Sequence, residues 1–268
     1  YAYRSECVHG MRHGRVYLMG DSAKVVSPFG ARGGNTGVAD ADNLAWKLAA
    51  VLRKQAGPAL LDSYNDERLE AARENVRVTN RTARFLRPAD GIERTYRQAA
   101  IGLARSYPFA RGLINTGRMA VANPYTRSRA CAYAPGSAAG VSVQNVAFAW
   151  ADGRPARVNR LLDWADGQLL LRCFGALSVG QCRPLQQLAA HAPVRAVQVL
   201  GGRERASAVE HVRDPSGHLR DACQVQAGRD GAWALLRPDG YLAAAGAAID
   251  GRLVKAVATA QMLEGDAA

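Results

Sequence analysis

The stretch Gly14 to Leu48 holds the residue types best suited to gripping a ligand. Asp21 follows a short apolar run, Arg15–Met19, that reads as a buried strand. An acceptor-only carboxylate at a strand end suits the hydroxyl of a sugar or polyol. Ser27-Pro28-Phe29-Gly30 lets backbone come close to a flat ligand. Gly33, Gly34 and Asn35 lead into a helical pattern from about Asn35, with Val38, Leu44, Ala45, Leu48 and Leu52 on one side. The first amides of a helix have no partner within it, and partial positive charge collects there. Such a place holds an anion, or a ring that becomes anionic during reaction. Spacing alone leaves two readings open: a ligand cradle, or an ordinary strand–loop–helix turn in which Asp21 caps something local.

The order of residues carries a resemblance. Gly20-Asp21-Ser22-Ala23-Lys24, then Pro28, then Gly30 and Gly33-Gly34-Asn35, then Asp40-Ala41-Asp42-Asn43-Leu44-Ala45-Trp46-Lys47-Leu48 resembles the second flavin-contacting motif of the FAD-dependent aromatic hydroxylases, the phenol and hydroxyphenylpropionate type of group A flavoprotein monooxygenase. The resemblance implies that Asp21 binds the ribityl chain of FAD and that Pro28 lies beside the isoalloxazine ring. It implies that the amides of Gly33, Gly34 and Asn35 face the pyrimidine end of that ring. It also implies the reaction: hydroxylation of a small aromatic, phenolic substrate with O2, with NAD(P)H as co-substrate. Two positions depart from the pattern. Lys24 stands where the family usually has His, and Ala31-Arg32 interrupts the usual glycine pair. No catalytic residue can be named from these positions.

Composition bounds the rest. A chain of 268 residues with 48% hydrophobic content is enough for two ordinary domains with real cores. The net charge of +12 comes almost wholly from arginines spread from Arg4 to Arg252, beside only Lys24, Lys47, Lys54 and Lys255. That spread reads as a solvated surface, and a nucleic-acid binder is the weakest reading. Cys7, Cys131, Cys173, Cys182 and Cys223 form no C-x-x-C pair and have no His at ligand spacing, which argues for reduced thiols in a cytoplasmic protein and for no metal site. No apolar run reaches membrane-spanning length. Ser22 and Lys24 raise a Ser–Lys nucleophile, but no G-x-S-x-G elbow supports acyl transfer.

No G-x-G-x-x-G fingerprint occurs in the chain, although the suspected family needs one to hold the AMP half of FAD. The expectation is therefore the C-terminal portion of a longer enzyme, inactive by itself. The alternative is a non-catalytic binding or oligomerisation module. Helices are predicted over residues 36–56 and from Pro58 to about Leu86, the second with Arg68, Arg73, Arg77, Arg81 and Arg84 on a solvated, ion-paired face. Two shorter helices follow, over Ile92–Ser106 and Phe109–Met119, and then a linker with a boundary near residue 130. Beyond it, strands near Val141–Phe148, Leu169–Phe174, Val194–Leu200, Ala232–Leu236 and Tyr241–Ala245 alternate with helices over Arg157–Trp164, Pro184–His191 and Leu253–Leu263. The fold class is α/β (α+β): residues 1–130 are part of an FAD-binding and helical region, and residues 131–268 form a second domain. That layout, with Leu-Arg-Pro-Asp-Gly-Tyr at 236–241, resembles the thioredoxin-like C-terminal domain of the same hydroxylases. Cys173 and Cys182 stand too far apart in sequence for a working dithiol. The resemblance implies packing and oligomer contacts, a homodimer among them.

Overall fold

The computed structural model describes residues 4–27, 32–114, 121–202, 204–207, 209–225 and 230–263. Two compact units emerge. The first takes Tyr1–Leu44 and Tyr64–Asn123, and the second Ala45–Ser63 and Pro124–Ala268.

In the first unit, short strands precede the helices. β1 (Glu6–Cys7) pairs antiparallel with β4 (Lys24–Val25), and β2 (Arg12–His13) with β3 (Val16–Tyr17). The expected buried strand over Arg15–Met19 is corrected here: only Val16 and Tyr17 are extended and paired, and Val16 is 59% exposed. Gly14 explains this. Its φ of +60° turns the chain straight back on β2, so the run pairs with one strand, and Tyr64 packs on Tyr17 and donates to the Leu18 carbonyl at 2.6 Å. α1 (Arg32–Leu52) begins three residues before the predicted Asn35 start. Its buried side is also not the predicted apolar one, because Val38 and Leu52 are exposed. Up to Leu44, the buried positions include Thr36, Asp40 and Asn43. These polar residues recur at helical spacing and so form one face. α2 (Asp62–Leu86) supplies the partners for that face, and α3 (Ile92–Ser106) and the short α4 (Arg111–Ile114) follow it. Arg77 and Glu74 form the exposed ion pair expected on α2, but Arg68 is buried rather than solvated.

The second unit is built on a seven-stranded sheet of order β11-β10-β7-β8-β9-β5-β6. In chain order its elements are β5 (Ala147–Trp150), β6 (Pro155–Arg157), α5 (Val158–Ala165), β7 (Leu169–Phe174), α6 (Val179–His191), β8 (Val194–Leu200), β9 (His211–Arg213), α7 (His218–Ala222), β10 (Ala232–Leu236), β11 (Leu242–Gly246) and α8 (Gly251–Gln261). β7, β8 and β9 run parallel, and the remaining pairs are antiparallel. The first predicted strand lies later than expected, as β5, and β6, β9 and α7 were not foreseen. Strand alternation sorts the core onto two faces. Leu170, Phe174, Val197, Val199, Ala234 and Leu236 pack with α5 and α7 residues on one face. Leu171, Cys173, Trp233 and Leu235 pack with Leu185 of α6 and Leu253 and Val257 of α8 on the other.

Both edges of this sheet are covered or blunted. β6 is a three-residue strand that opens with Pro155. At the other edge, residues 132–141 lie along β11: the Ala132 N–H donates to the Ala243 carbonyl at 2.9 Å and the Gly140 N–H to the Leu242 carbonyl at 2.7 Å. The turn Arg237–Gly240 between β10 and β11 is held by Arg237, which bonds Asp239 through Nε at 3.1 Å and Nη2 at 2.5 Å. The buried guanidinium also lies 5.2–5.7 Å from the ring centroids of Trp46, Tyr125 and Tyr241.

Candidate functional site

Asp21 sits on a single 3-10 turn, Gly20–Ser22, between β3 and β4. Ser22 fastens the turn. Its Oγ accepts from the Met19 N–H at 3.1 Å and donates to the Met19 carbonyl at 2.7 Å. Gly20 takes φ +57°, a left-handed conformation that favours glycine, and donates its N–H to Asp40 Oδ2 at 3.0 Å. The turn therefore docks on α1. A side chain on Gly37 would begin in van der Waals contact with the Gly20 Cα, at 3.5 Å. The outcome is an exposed Asp21 carboxylate with no hydrogen bond or ion pair among the described residues.

The same docking brings Asp21's turn alongside the first half of α1. Gly33 and Gly34 lie in the first turn of that helix, where amide N–H groups have no partner within the helix. Gly34 and Asn35 are exposed, and a Cβ built on Gly34 would meet nothing within 4 Å. Thr36 Oγ1 closes the turn on the Gly33 carbonyl at 3.1 Å. Pro28, the residue expected beside the ring, lies outside the described residues.

Behind this surface is a buried charge cluster that the sequence reading missed. Asp40 is fully buried and takes three donors: the Gly20 amide, the Lys24 ammonium, and Arg68 Nε from α2 at 2.7 Å. Arg68 Nη2 continues to the Thr36 carbonyl at 3.3 Å. Burial pushes the Lys24 ammonium below the ordinary lysine range, and the Asp40 carboxylate opposes that shift. One helical turn along, Asn43 Nδ2 donates to Glu67 Oε2 at 2.7 Å. Near the start of α1, Arg32 is buried and bonds Asn75 Oδ1 at 3.2 Å. Lys24 and Arg32, which stand at the two departures from the family pattern, are both buried and committed to partners inside the unit. The partners of Asp40 lie on the Gly20 turn, β4 and α2. The available signal was the polar spacing of positions 36, 40 and 43, which hydrophobic periodicity discards. Ser22 and Lys24 are held by Met19 and Asp40, consistent with the dismissal of a Ser–Lys nucleophile.

An exposed carboxylate beside a helix start can take a polyol hydroxyl and a negatively charged group. Residues 1–79 match the family model described as FAD binding domain. The curated proteins it is similar to are aromatic and polyketide hydroxylases. Aklavinone 12-hydroxylase RdmE from Streptomyces purpurascens is 62% identical over 61 residues, 23% of this chain and 11% of that protein. A 3-(3-hydroxy-phenyl)propionate/3-hydroxycinnamic acid hydroxylase from Mycolicibacterium smegmatis is 41% identical over 90 residues, 34% of this chain and 16% of that protein. Among solved structures, aklavinone-11 hydroxylase in a ternary complex with FAD and aklavinone aligns with a TM-score of 0.66 at 25% identity, over 96% of this chain and 45% of that one. The flavin-dependent monooxygenase PieE, in complex with FAD and substrate, aligns with a TM-score of 0.73 at 21% identity and shares the fold over 98% of this chain and 50% of that one. The chain thus spans about half the length of these structures, and its aligned segments cover a smaller part of the curated relatives. Architecture mixing helices and sheet, with no helix long and apolar enough to cross a membrane among the described residues, fits this relationship.

Proposed function

We propose that this chain supplies the ribityl and pyrimidine side of the FAD site in an aromatic hydroxylase whose AMP-binding fingerprint lies elsewhere. The observation carrying this reading is Asp21, an exposed and uncommitted carboxylate on a turn whose backbone is pinned from behind by Asp40. Asp21 accepts a ribityl hydroxyl. The amides of Gly33, Gly34 and Asn35 supply positive potential to the pyrimidine edge, where a preorganised helix start costs no reorganisation when negative charge develops. Pro28 is assigned to the face of the ring. Bound FAD would take electrons from NAD(P)H and activate O2, and that chemistry belongs to the cofactor. The chain's part is to bind and orient it. The substrate class is a phenolic aromatic. Polycyclic polyketides enter that class because the relatives' names include aklavinone hydroxylases.

The second unit invites a reading of its own. β7, α6 and β8 form a parallel βαβ step, and the β10–β11 hairpin and α8 complete it with strand order β11-β10-β7-β8. This order supports the thioredoxin-like assignment for residues 131–268. Cys173 is fully buried and Cys182 nearly so, on β7 and α6, which supports a packing role over dithiol chemistry.

Flavin titration of the purified chain tests the main reading. FAD fluorescence is followed for the natural chain and for Asp21→Ala, with thermal unfolding of both. A charge-assisted hydrogen bond is worth about 1.5–3 kcal/mol, so Asp21→Ala is expected to bind roughly tenfold to a hundredfold more weakly at unchanged stability. Equal flavin binding by the two proteins would overturn the assignment.

A further inference from the structure

One side of α3 is packed: Ala100 is buried, and Arg97, Ile101 and Ala104 are half-buried. The opposite side of such a helix is ordinarily polar. On α3 part of it is apolar instead. Ile92, Tyr96, Ala99 and Leu103 are all exposed, at gaps of four, three and four residues. Tyr107, also exposed, adds another gap of four, and its N–H donates to the Leu103 carbonyl at 2.8 Å, so it continues the helical spiral. Gaps of three and four keep residues in line along one side of a helix. This is the seam spacing with which one helix packs on another. Single apolar residues scattered over a surface are ordinary, whereas an aligned row marks a contact surface.

The row is also self-complementary. Take a two-fold axis between Ala99 and Ala100 and a second copy of the helix running antiparallel. Ile92 of one copy then faces Tyr107 of the other, and Tyr96 of one faces Leu103 of the other. Each contact joins an aliphatic side chain to a ring, and alanine stands at the axis, where the two backbones come closest. A two-fold interface requires this reciprocity, in which residue i meets j and j meets i. The antiparallel arrangement also brings the acidic first turn of one helix, with Glu93, to the basic last turn of the other, with Arg105, and opposes their dipoles. A parallel pair would bring Glu93 to Glu93 and Arg105 to Arg105.

The area agrees with such a pair. Ile92 is 87% exposed, and Phe109, whose ring stands 6.0 Å from that of Tyr107, is 78% exposed. With Tyr96, Leu103 and Tyr107 they present roughly 600 Å² per copy, given about 150–250 Å² for each aromatic residue covered in full. Two copies then bury about 1,200 Å², the lower end of specific interfaces.

We propose that the exposed row of α3 is an interface for a second copy of this chain, the two helices antiparallel about an axis between Ala99 and Ala100. The contact belongs to the first unit, not to the second, where the family resemblance leads one to expect oligomer contacts. It does not depend on the reading of Asp21.

Sedimentation velocity on the full chain over a range of concentrations tests this. The natural chain is expected to dimerise with a Kd of about 1–100 μM, as suits an interface at the small end of the range. Leu103→Glu sets an unpaired charge against a ring in both halves of the contact, and is expected to weaken the dimer at least about tenfold. Its melting temperature in dilute solution is expected to be unchanged, because the position is exposed. Val179→Glu, at an 88% exposed position on α6, is expected to leave the dimer as it was. Register is read by cross-linking with a short bismaleimide in a Cys7→Ser background. A mixture of Ile92→Cys and Tyr107→Cys chains is expected to cross-link far more than either alone. A chain that stays monomeric, a dimer that survives Leu103→Glu or is lost with Val179→Glu, or cross-linking as strong in the separate variants as in the mixture would each overturn the proposal. So would a monomer that binds phosphatidylserine vesicles and loses them in Leu103→Glu, which would give the face to a membrane instead.

Discussion

Arg68 and Asp40 meet at 2.7 Å with both side chains sealed from solvent, and the carboxylate so held is the one that receives the Gly20 amide. The exposed Asp21 is therefore presented by a turn whose anchor is a buried ion cluster and not an apolar plug. Two cations share that one carboxylate, since Lys24 closes on its other oxygen.

Removing the shared carboxylate leaves both cations buried without it. Asp40→Ala is expected to cost about 3–5 kcal/mol, the usual penalty for breaking a buried pair from one side. Lys24→Met, which leaves Arg68 and the Gly20 amide on Asp40, is expected to cost clearly less. Urea unfolding of the two variants checks this order, and a near-neutral Asp40→Ala would contradict it.

Gly57 gives a steric prediction within the second unit. Its N–H donates to the Gln261 carbonyl at 3.0 Å, and a Cβ there would stand 2.1 Å from the Met262 carbonyl oxygen. Backbone must move to admit even a methyl group. Gly57→Ala is expected to lose about 1–3 kcal/mol, in the range of overpacked cores, and a melting temperature at or above that of the natural chain would refute it.

The Cys173 thiol sets an alkaline limit. Burial in the β7 layer pushes its pKa up from an ordinary value near 9 to about 12. The folded chain keeps this proton where the unfolded chain gives it up. Its contribution is fully present below about pH 9 and declines as pH rises toward 12. Stability measured from pH 8 to 11 should fall less steeply in Cys173→Ala than in the natural chain, and parallel curves would remove the assignment.

Arg237 is held by shape as well as charge. Arg237→Lys keeps the charge but cannot reproduce two bonds to Asp239 and contact with three aromatic rings. A loss of about 1–3 kcal/mol is expected on thermal unfolding, with an unchanged midpoint as the contrary result.

The second unit was the more legible in sequence, because apolar runs such as Leu169–Phe174 and Val194–Leu200 bury whole strands and leave a direct trace. β9 was missed because His211–Arg213 carries one apolar residue in three and is a strand through its partners β8 and β5. In the first unit, Asp21 and the glycines were visible as a pattern of types. The Lys24–Asp40–Arg68 cluster was not, since its members are far apart in the chain and charged residues are ordinarily read as surface.

The flanks of the seven-stranded sheet bear on how copies of this chain can associate. Pro155 has no amide hydrogen to offer a newcomer beside β6, and the stretch along β11 already occupies the backbone of Leu242 and Ala243. Stacking of molecules through continuous hydrogen-bonded ladders is thereby discouraged at these two flanks.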